Sequence, residues 1–475
     1  MPFGPSGINK NWLLVPLLFG YLLSLGGAGF VGPDEPRYAS VGREMARSGD
    51  WITPRLDGQP WFEKPPLLYW MNAAGQKLGF SDEWAARLPV ALASLLFLLY
   101  FFGWVEREFS RRTAFAATAI LATSAGWAAF SFGAVTDLPM TAALCAALLI
   151  TLFDTRPRQG YLAGALLGLA ILAKAFVPVV LLAPALLIAR RKRLRTVVAC
   201  VIVAAPWHLL CLARNGHAFW NEYFWKHQVG RFFENSLQHV QPFWYYVPVI
   251  LAGLFPWTPL AALLARSKTY EDARVRFLAA WMLYGLLFFS ISRNKLPGYV
   301  LPLLPALAIV LAVALEKTRG AEWWLAACGL LLIAVPAIAR ALPEALLSGV
   351  RRSHIVFAPG VPFAAIAIVA WWLAWRERQT LAVFAVALAA MAGVVYIKVR
   401  TFPELDQRVS VRGFWRANPA PDACTDWIRR DWVYGLNYYA DRVLPSCEVA
   451  PPTSRRINGR DDQLKLEFPS EAPTR

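Results

Sequence analysis

The chain has 475 residues, 57% of them hydrophobic and 14% aromatic, with 48 Lys and Arg against 31 Asp and Glu. Leu and Ala runs recur along most of its length, which excludes a soluble globular domain or a single anchor and predicts an all-α polytopic membrane protein. The surplus of 17 positive charges does not predict nucleic-acid binding, because it is scattered over short loops without stacking aromatics.

In chain order, apolar segments near 12–32, 87–105, 113–132, 139–153, 161–175, 177–190, 196–213, 245–265, 277–292, 299–315, 322–340, 355–375 and 380–399 read as spans, about thirteen transmembrane helices. The stretch from Trp12 to Val31 carries no cleavage motif followed by a soluble domain and is expected to be a retained first span. Basic loops such as Arg190 to Arg195 and Arg266 to Arg276 mark the cytoplasmic side. Both flanks of 161–190 are basic, so a tight hairpin is expected around Lys174 to Pro178. The map gives a transmembrane domain over 1–399, outer loops at 33–86 and 214–244, and a small extracytoplasmic C-terminal domain or tail over 400–475. Cys424 and Cys447 are the only cysteines in that tail, and in an oxidising compartment they are expected to form a disulfide.

The first outer loop concentrates charge beside lipid. Asp34 and Glu35 follow the first span, Pro36 is a natural first helical residue and Gly49 a natural stop. Within that short helix Tyr38, Val41 and Met45 form an apolar stripe, while Arg37, Arg43, Glu44 and Arg47 face elsewhere, the pattern of a helix lying in the interface plane. The acids either cap this helix or act on an acceptor hydroxyl as general base or positioning group. Further on, Glu63 and Lys64 sit between Trp61-Phe62 and Pro65-Pro66, a rigid stretch flanked by aromatics that favour headgroup level. Lys64 suits a lipid phosphate there, and Glu63 suits a cation, a sugar hydroxyl or Lys64 itself.

Later loops add to the same rim. Asp137 lies between two apolar spans, where an acid is either functional or caps the helix that Pro139 begins. Lys174 is a lone cation at an outer helix end, where snorkelling is the plain alternative. His208, His217, His227 and His239 lack metal spacing, but His227, near Lys226 and Arg231, suits a phosphate or a metal shared with Glu63. Arg231, Arg293 and Lys295 bring more cations, with Tyr299 as a hydrogen-bond donor. Carboxylates and cations on one outer rim are what a transferase needs to hold a lipid-linked phosphate beside an acceptor. A conduction path would place them at mid-membrane depth, which makes a polyprenyl-lipid flippase or transporter the alternative from another class.

The segment DEPRYASVGREMARSGDWITPRLDGQPWFEKPPLLYW resembles the first outer loop of the bacterial aminoarabinose transferases and related protein mannosyltransferase-like enzymes of the GT-C superfamily, and TDLPM, LAKAFVP, YFWKHQVGRF and KLPGYVLPLLP continue the resemblance in order. It implies an inverting glycosyltransferase of the bacterial inner membrane, its site facing the periplasm, that moves sugar from a polyprenyl-phosphate donor to lipid A, another envelope glycan or, as an alternative, protein. By resemblance Asp34 is the principal catalytic carboxylate and Asp137 the second acid. The resemblance also makes Lys64 a phosphate contact and Glu63 with His227 the ligands of a divalent metal ion, while Glu35, Arg37, Tyr38, Lys174, Arg231, Lys295 and Tyr299 are expected to bind substrate from their place on the same rim.

Overall fold

The computed structural model describes residues 11–230, 240–349, 360–451, 453–459 and 463–468. It is mostly helical, and helices occupy each of the apolar segments. Six are long and apolar enough to cross a membrane among the described residues: Asp82–Glu108, Arg190–His227, Ala273–Ile291, Pro297–Glu316, Ala321–Ser348 and Gln379–Val409. Shorter apolar helices include Asp137–Phe153, Gln159–Lys174 and Val177–Ile188. Between the last two, Ala175 adopts φ 60° and ψ −140°, so the chain breaks where a hairpin is expected.

The first helix, α1 (Asn11–Leu22), is shorter than the apolar run from which it is predicted. The Ser-Leu-Gly-Gly-Ala-Gly stretch leaves the helix, and Ser24 takes φ 55°. That would strand the last carbonyls of α1, which need partners. The Lys398 ammonium supplies them, donating to Gly20 at 2.8 Å, Tyr21 at 3.1 Å and Leu23 at 3.0 Å.

The second helix, α2 (Asp34–Ser48), begins with its two acids and ends at Gly49, whose φ of 72° lets its N–H return to the Met45 carbonyl at 3.0 Å. Its environment differs from the interfacial helix expected. Residues from Glu35 to Gly42 are all buried, Arg37 among them, because α3 (Leu67–Lys77) packs on one side and the C-terminal domain on another. Asn72 of α3 donates to the Ala39 carbonyl at 3.2 Å, fixing that crossing.

The C-terminal domain has its own core of Leu405, Val409, Trp432, Leu436, Leu444 and Ile457, shared with Ala28 and Leu347 of the membrane region. A small sheet runs in the order β1 (Cys424–Asp426), β2 (Arg456–Asn458), β3 (Lys465–Glu467), β1 parallel to β2 and β3 antiparallel to it. Cys424 and Cys447 form a disulfide. Between them lies a helix, Arg430–Ala440, that docks against α2.

Candidate active site

Asp34 opens α2 with 45% of its side chain exposed and accepts a hydrogen bond from Arg37 one turn on. Arg37 also pairs with Glu63 at 3.0 Å, and Glu63 with Lys64 at 3.4 Å. The four residues thus alternate in sign along one line. Arg37 is 5% exposed and lies within 6 Å of the Tyr38, Trp61 and Tyr434 rings. Burial alone would push its guanidinium toward the neutral form, but Glu63 and Asp34 more than reverse this and raise its pKa.

Glu35 and Tyr38 have different surroundings from the substrate-binding ones expected. Glu35 is 6% exposed and its carboxylate is taken up by the protein: Arg87 donates to it at 2.9 and 2.7 Å, and the Val31 and Ala134 N–H groups at 2.9 and 2.8 Å. Burial raises its pKa, but Arg87 and these donors win and hold it below the usual carboxylate value. Arg87 uses all five N–H groups, the rest reaching the Leu25, Ala28 and Gly29 carbonyls. Such saturation is what makes a buried ion pair tolerable. Tyr38 is buried, its ring against Tyr69.

The second acid joins the predicted lysine. Lys174 donates to Asp137 at 2.5 Å, and its ammonium lies 4.9 Å from the Tyr299 ring centroid. Tyr299 therefore meets Lys174 through its ring face. The partner taken by Asp137 is Lys174, and no side-chain cap is formed at the start of its helix. Lys64, Lys174, His227 and Tyr299 line one cavity of about 110 Å³, closed on other sides by Met140, Val177, Phe288 and Phe289.

The remaining predicted residues divide. Lys295 is spent on backbone, donating to the Gln241 carbonyl at 3.0 Å and to the Ser292 carbonyl, and burial lowers its pKa. This fixes the turn and leaves the ammonium facing carbonyls, in contrast to the expected substrate contact. Arg231 lies outside the described residues. His227 sits in a wide helical turn, Trp220–Gly230, with its Nε2 3.8 Å from Glu222. His208 is structural: Nδ1 meets the Ala204 carbonyl at 2.8 Å, so Nε2 accepts from the Tyr223 hydroxyl at 3.0 Å.

Among the described residues no group of three or more His, Cys, Asp or Glu converges. Glu63 already faces Arg37 and Lys64, so the residues present do not fit a metal at Glu63 and His227, and no chemical step is derived through one.

Sequence reasoning misses Arg87, Lys398 and the helix Arg430–Ala440. A signal existed for the first two, since each is a cation inside or at the end of an apolar run, where a charge demands a partner.

The fold and site define a helical membrane protein with carboxylates and cations gathered about a part-apolar cavity. The family described as dolichyl-phosphate-mannose-protein mannosyltransferase matches residues 63–213. An undecaprenyl phosphate-alpha-4-amino-4-deoxy-L-arabinose arabinosyl transferase of Pectobacterium carotovorum is 37% identical over 337 residues, 66% of this chain and 60% of that protein. The same-named protein of Pseudomonas aeruginosa is 33% identical over 331 residues, 65% of this chain and 60% of that protein. The chain thus spans about three fifths of the length of the curated relatives it matches. The crystal structure of ArnT from Cupriavidus metallidurans bound to undecaprenyl phosphate superposes with a TM-score of 0.73 at 25% identity, over 96% of this chain and 87% of that one. Its apo state gives 0.70 at 26% identity, over 92% and 85%. The chain has an ArnT-like fold and is similar in sequence to the bacterial undecaprenyl phosphate aminoarabinose transferases over about two thirds of its length.

Proposed function

We propose that this chain is a glycosyltransferase of the bacterial inner membrane that moves aminoarabinose from an undecaprenyl-phosphate donor to lipid A on the periplasmic side. The observation that carries the reading is the cavity in which Lys64 and Lys174 meet a phenylalanine-lined wall, since it matches a phosphate attached to a hydrocarbon chain. With the thirteen crossings read from the sequence, the N-terminus inside and the C-terminal domain outside, that cavity and Asp34 would share the periplasmic rim.

In this reading an acceptor oxygen attacks the anomeric carbon while the bond from that carbon to the donor phosphate oxygen breaks, inverting the centre. The electron pair leaves with the phosphate, where Lys64 and Lys174 stabilise the charge. A hydroxyl acceptor would lose its proton to Asp34. A phosphate acceptor is already ionised, and Asp34, held by Arg37, would orient it. Asp137 holds Lys174 in place until the phosphate arrives.

The test is label transfer from undecaprenyl-phosphate aminoarabinose to lipid A by purified protein, with Asp34→Asn beside it. Loss of transfer in a folded variant supports the assignment, and full activity would sink it. The match to the mannosyltransferase family favours protein as the second acceptor, in which case the label follows protein. Scrambling of polyprenyl lipid without sugar transfer would instead indicate the flippase.

A further inference from the structure

The helix Arg430–Ala440 docks on α2 in a register that can be read from three contacts. The Arg37 guanidinium lies 5.3 Å from the Tyr434 ring centroid, the Arg43 guanidinium 3.8 Å from that of Tyr438, and Arg47 pairs with Asp441 at 2.7 Å. Numbers rise together on both helices, so they run parallel and their N-termini lie at the same end. Asp34 begins one of them and Arg430 begins the other.

The register is anchored on both sides. Tyr439 accepts from the Phe30 N–H at 2.9 Å and donates to Glu83 at 2.8 Å, and Arg43 adds a second pair with Asp441 at 3.2 Å. One turn before Tyr438, Tyr434 covers Arg37. One further turn back, exposed Arg430 donates to the Tyr434 hydroxyl at 3.3 and 3.2 Å through Nε and Nη2. Two guanidiniums thus lie within 6 Å of one ring, the buried one committed to Asp34 and Glu63 and the other at the surface.

From this register we infer that the C-terminal domain supplies Arg430 to bind the phosphate of the acceptor lipid beside Asp34. The inference rests on the proposed transfer to lipid A and assigns the acceptor side of that site. An anionic acceptor approaching a half-exposed carboxylate is repelled unless a cation accompanies it. Arg37 is buried and already engaged, whereas Arg430 is exposed at the right end of the domain. A guanidinium can grip phosphate through two parallel hydrogen bonds, which a lysine cannot copy.

The experiment uses the full chain in lipid nanodiscs and measures binding of fluorescent lipid A, with and without its phosphates, to wild type, Arg430→Gln and Arg430→Lys. Loss of one charge-assisted contact predicts that Arg430→Gln binds phosphorylated lipid A about tenfold more weakly, with dephosphorylated lipid A unaffected. Arg430→Lys should recover part of that loss, and undecaprenyl-phosphate binding and the thermal unfolding midpoint should not change. Equal binding of phosphorylated lipid A by wild type and Arg430→Gln overturns the inference, as does equal competition by phosphatidylglycerol, which would make the site a generic headgroup contact. Failure of wild type to transfer sugar while Arg430 still governs lipid A binding would overturn the transferase reading and leave this contact standing.

Discussion

Gly298 lies against Asp137 so closely that a Cβ built on it would sit 2.4 Å from the carboxylate Oδ1 and 2.9 Å from Phe130 Cζ. The turn that carries Tyr299 into the cavity is therefore pressed onto the second acid. Gly298→Ala must displace the carboxylate or the turn, and either change disturbs the pair with Lys174. Transfer is expected to fall by about a hundredfold, the scale for an ångström-sized misplacement of a reacting group. Steady-state kinetics on the folded variant checks it, and unchanged kcat would contradict a role for that pair.

The neighbouring acids of α2 should respond oppositely to truncation. Glu35→Ala leaves the Arg87 guanidinium buried without its carboxylate, a change expected to cost about 3–5 kcal/mol. Asp34→Ala removes a half-exposed group and should leave the fold intact while abolishing transfer. Thermal unfolding in detergent separates the two, and comparable midpoints would show that Glu35 is not the structural member.

Three lysines on the rim have different jobs. Lys64→Gln and Lys174→Gln should each weaken undecaprenyl-phosphate binding by about tenfold, the value of one charge-assisted contact. Lys295→Gln should leave that binding unchanged and lower the unfolding midpoint, because its ammonium serves backbone carbonyls. A binding titration beside a melting curve tests both, and weakened donor binding in the Lys295 variant would return it to the site.

The docking of the C-terminal domain on α2 should be acid-labile. Hydrogen bonding from Arg47, together with the charge of Arg43, outweighs the desolvation of Asp441 and holds its pKa below the ordinary value. A group depressed in the folded state adds stability above its unfolded pKa of about 3.9, and loses it as pH falls through the folded value. Protection from hydrogen exchange in 430–440, taken relative to the intrinsic amide rate at each pH, should thus be the same at pH 7 and pH 5 and fall only below about pH 4. Asp441→Asn should remove that acid response, and an unaltered profile would place its origin elsewhere.

Apolar length is enough to place a helix in each long apolar run, because a run of that kind leaves a strong local record, whereas the helix Arg430–Ala440 carries no such record. Contacts between distant residues leave none. The apolar run continues through Val31, yet α1 stops at Leu22, and the carbonyls this exposes are met by Lys398, 378 residues beyond Gly20. Helical periodicity puts Arg37 off the apolar stripe of α2, and it cannot register a second domain covering that other face. Asp34, Lys64, Asp137 and Lys174 stand out in the sequence for the opposite reason, being charges in positions where lipid allows few. Tyr434 and Arg430 lie in an aromatic, mixed-charge tail in which nothing local marks them.

The alternating line of Asp34, Arg37, Glu63 and Lys64 has a thermodynamic consequence. A donor phosphate that draws Lys64 away from Glu63 leaves that carboxylate more fully available to Arg37, and so changes how firmly Arg37 holds Asp34. Donor and acceptor affinities are then coupled by a shared free energy, and the coupling is reciprocal. The factor by which bound lipid A changes undecaprenyl-phosphate affinity should equal the factor in the opposite direction, and replacing Glu63 by Gln should drive both toward one. If donor and acceptor bind as proposed, their cooperativity is a property of four charges in series.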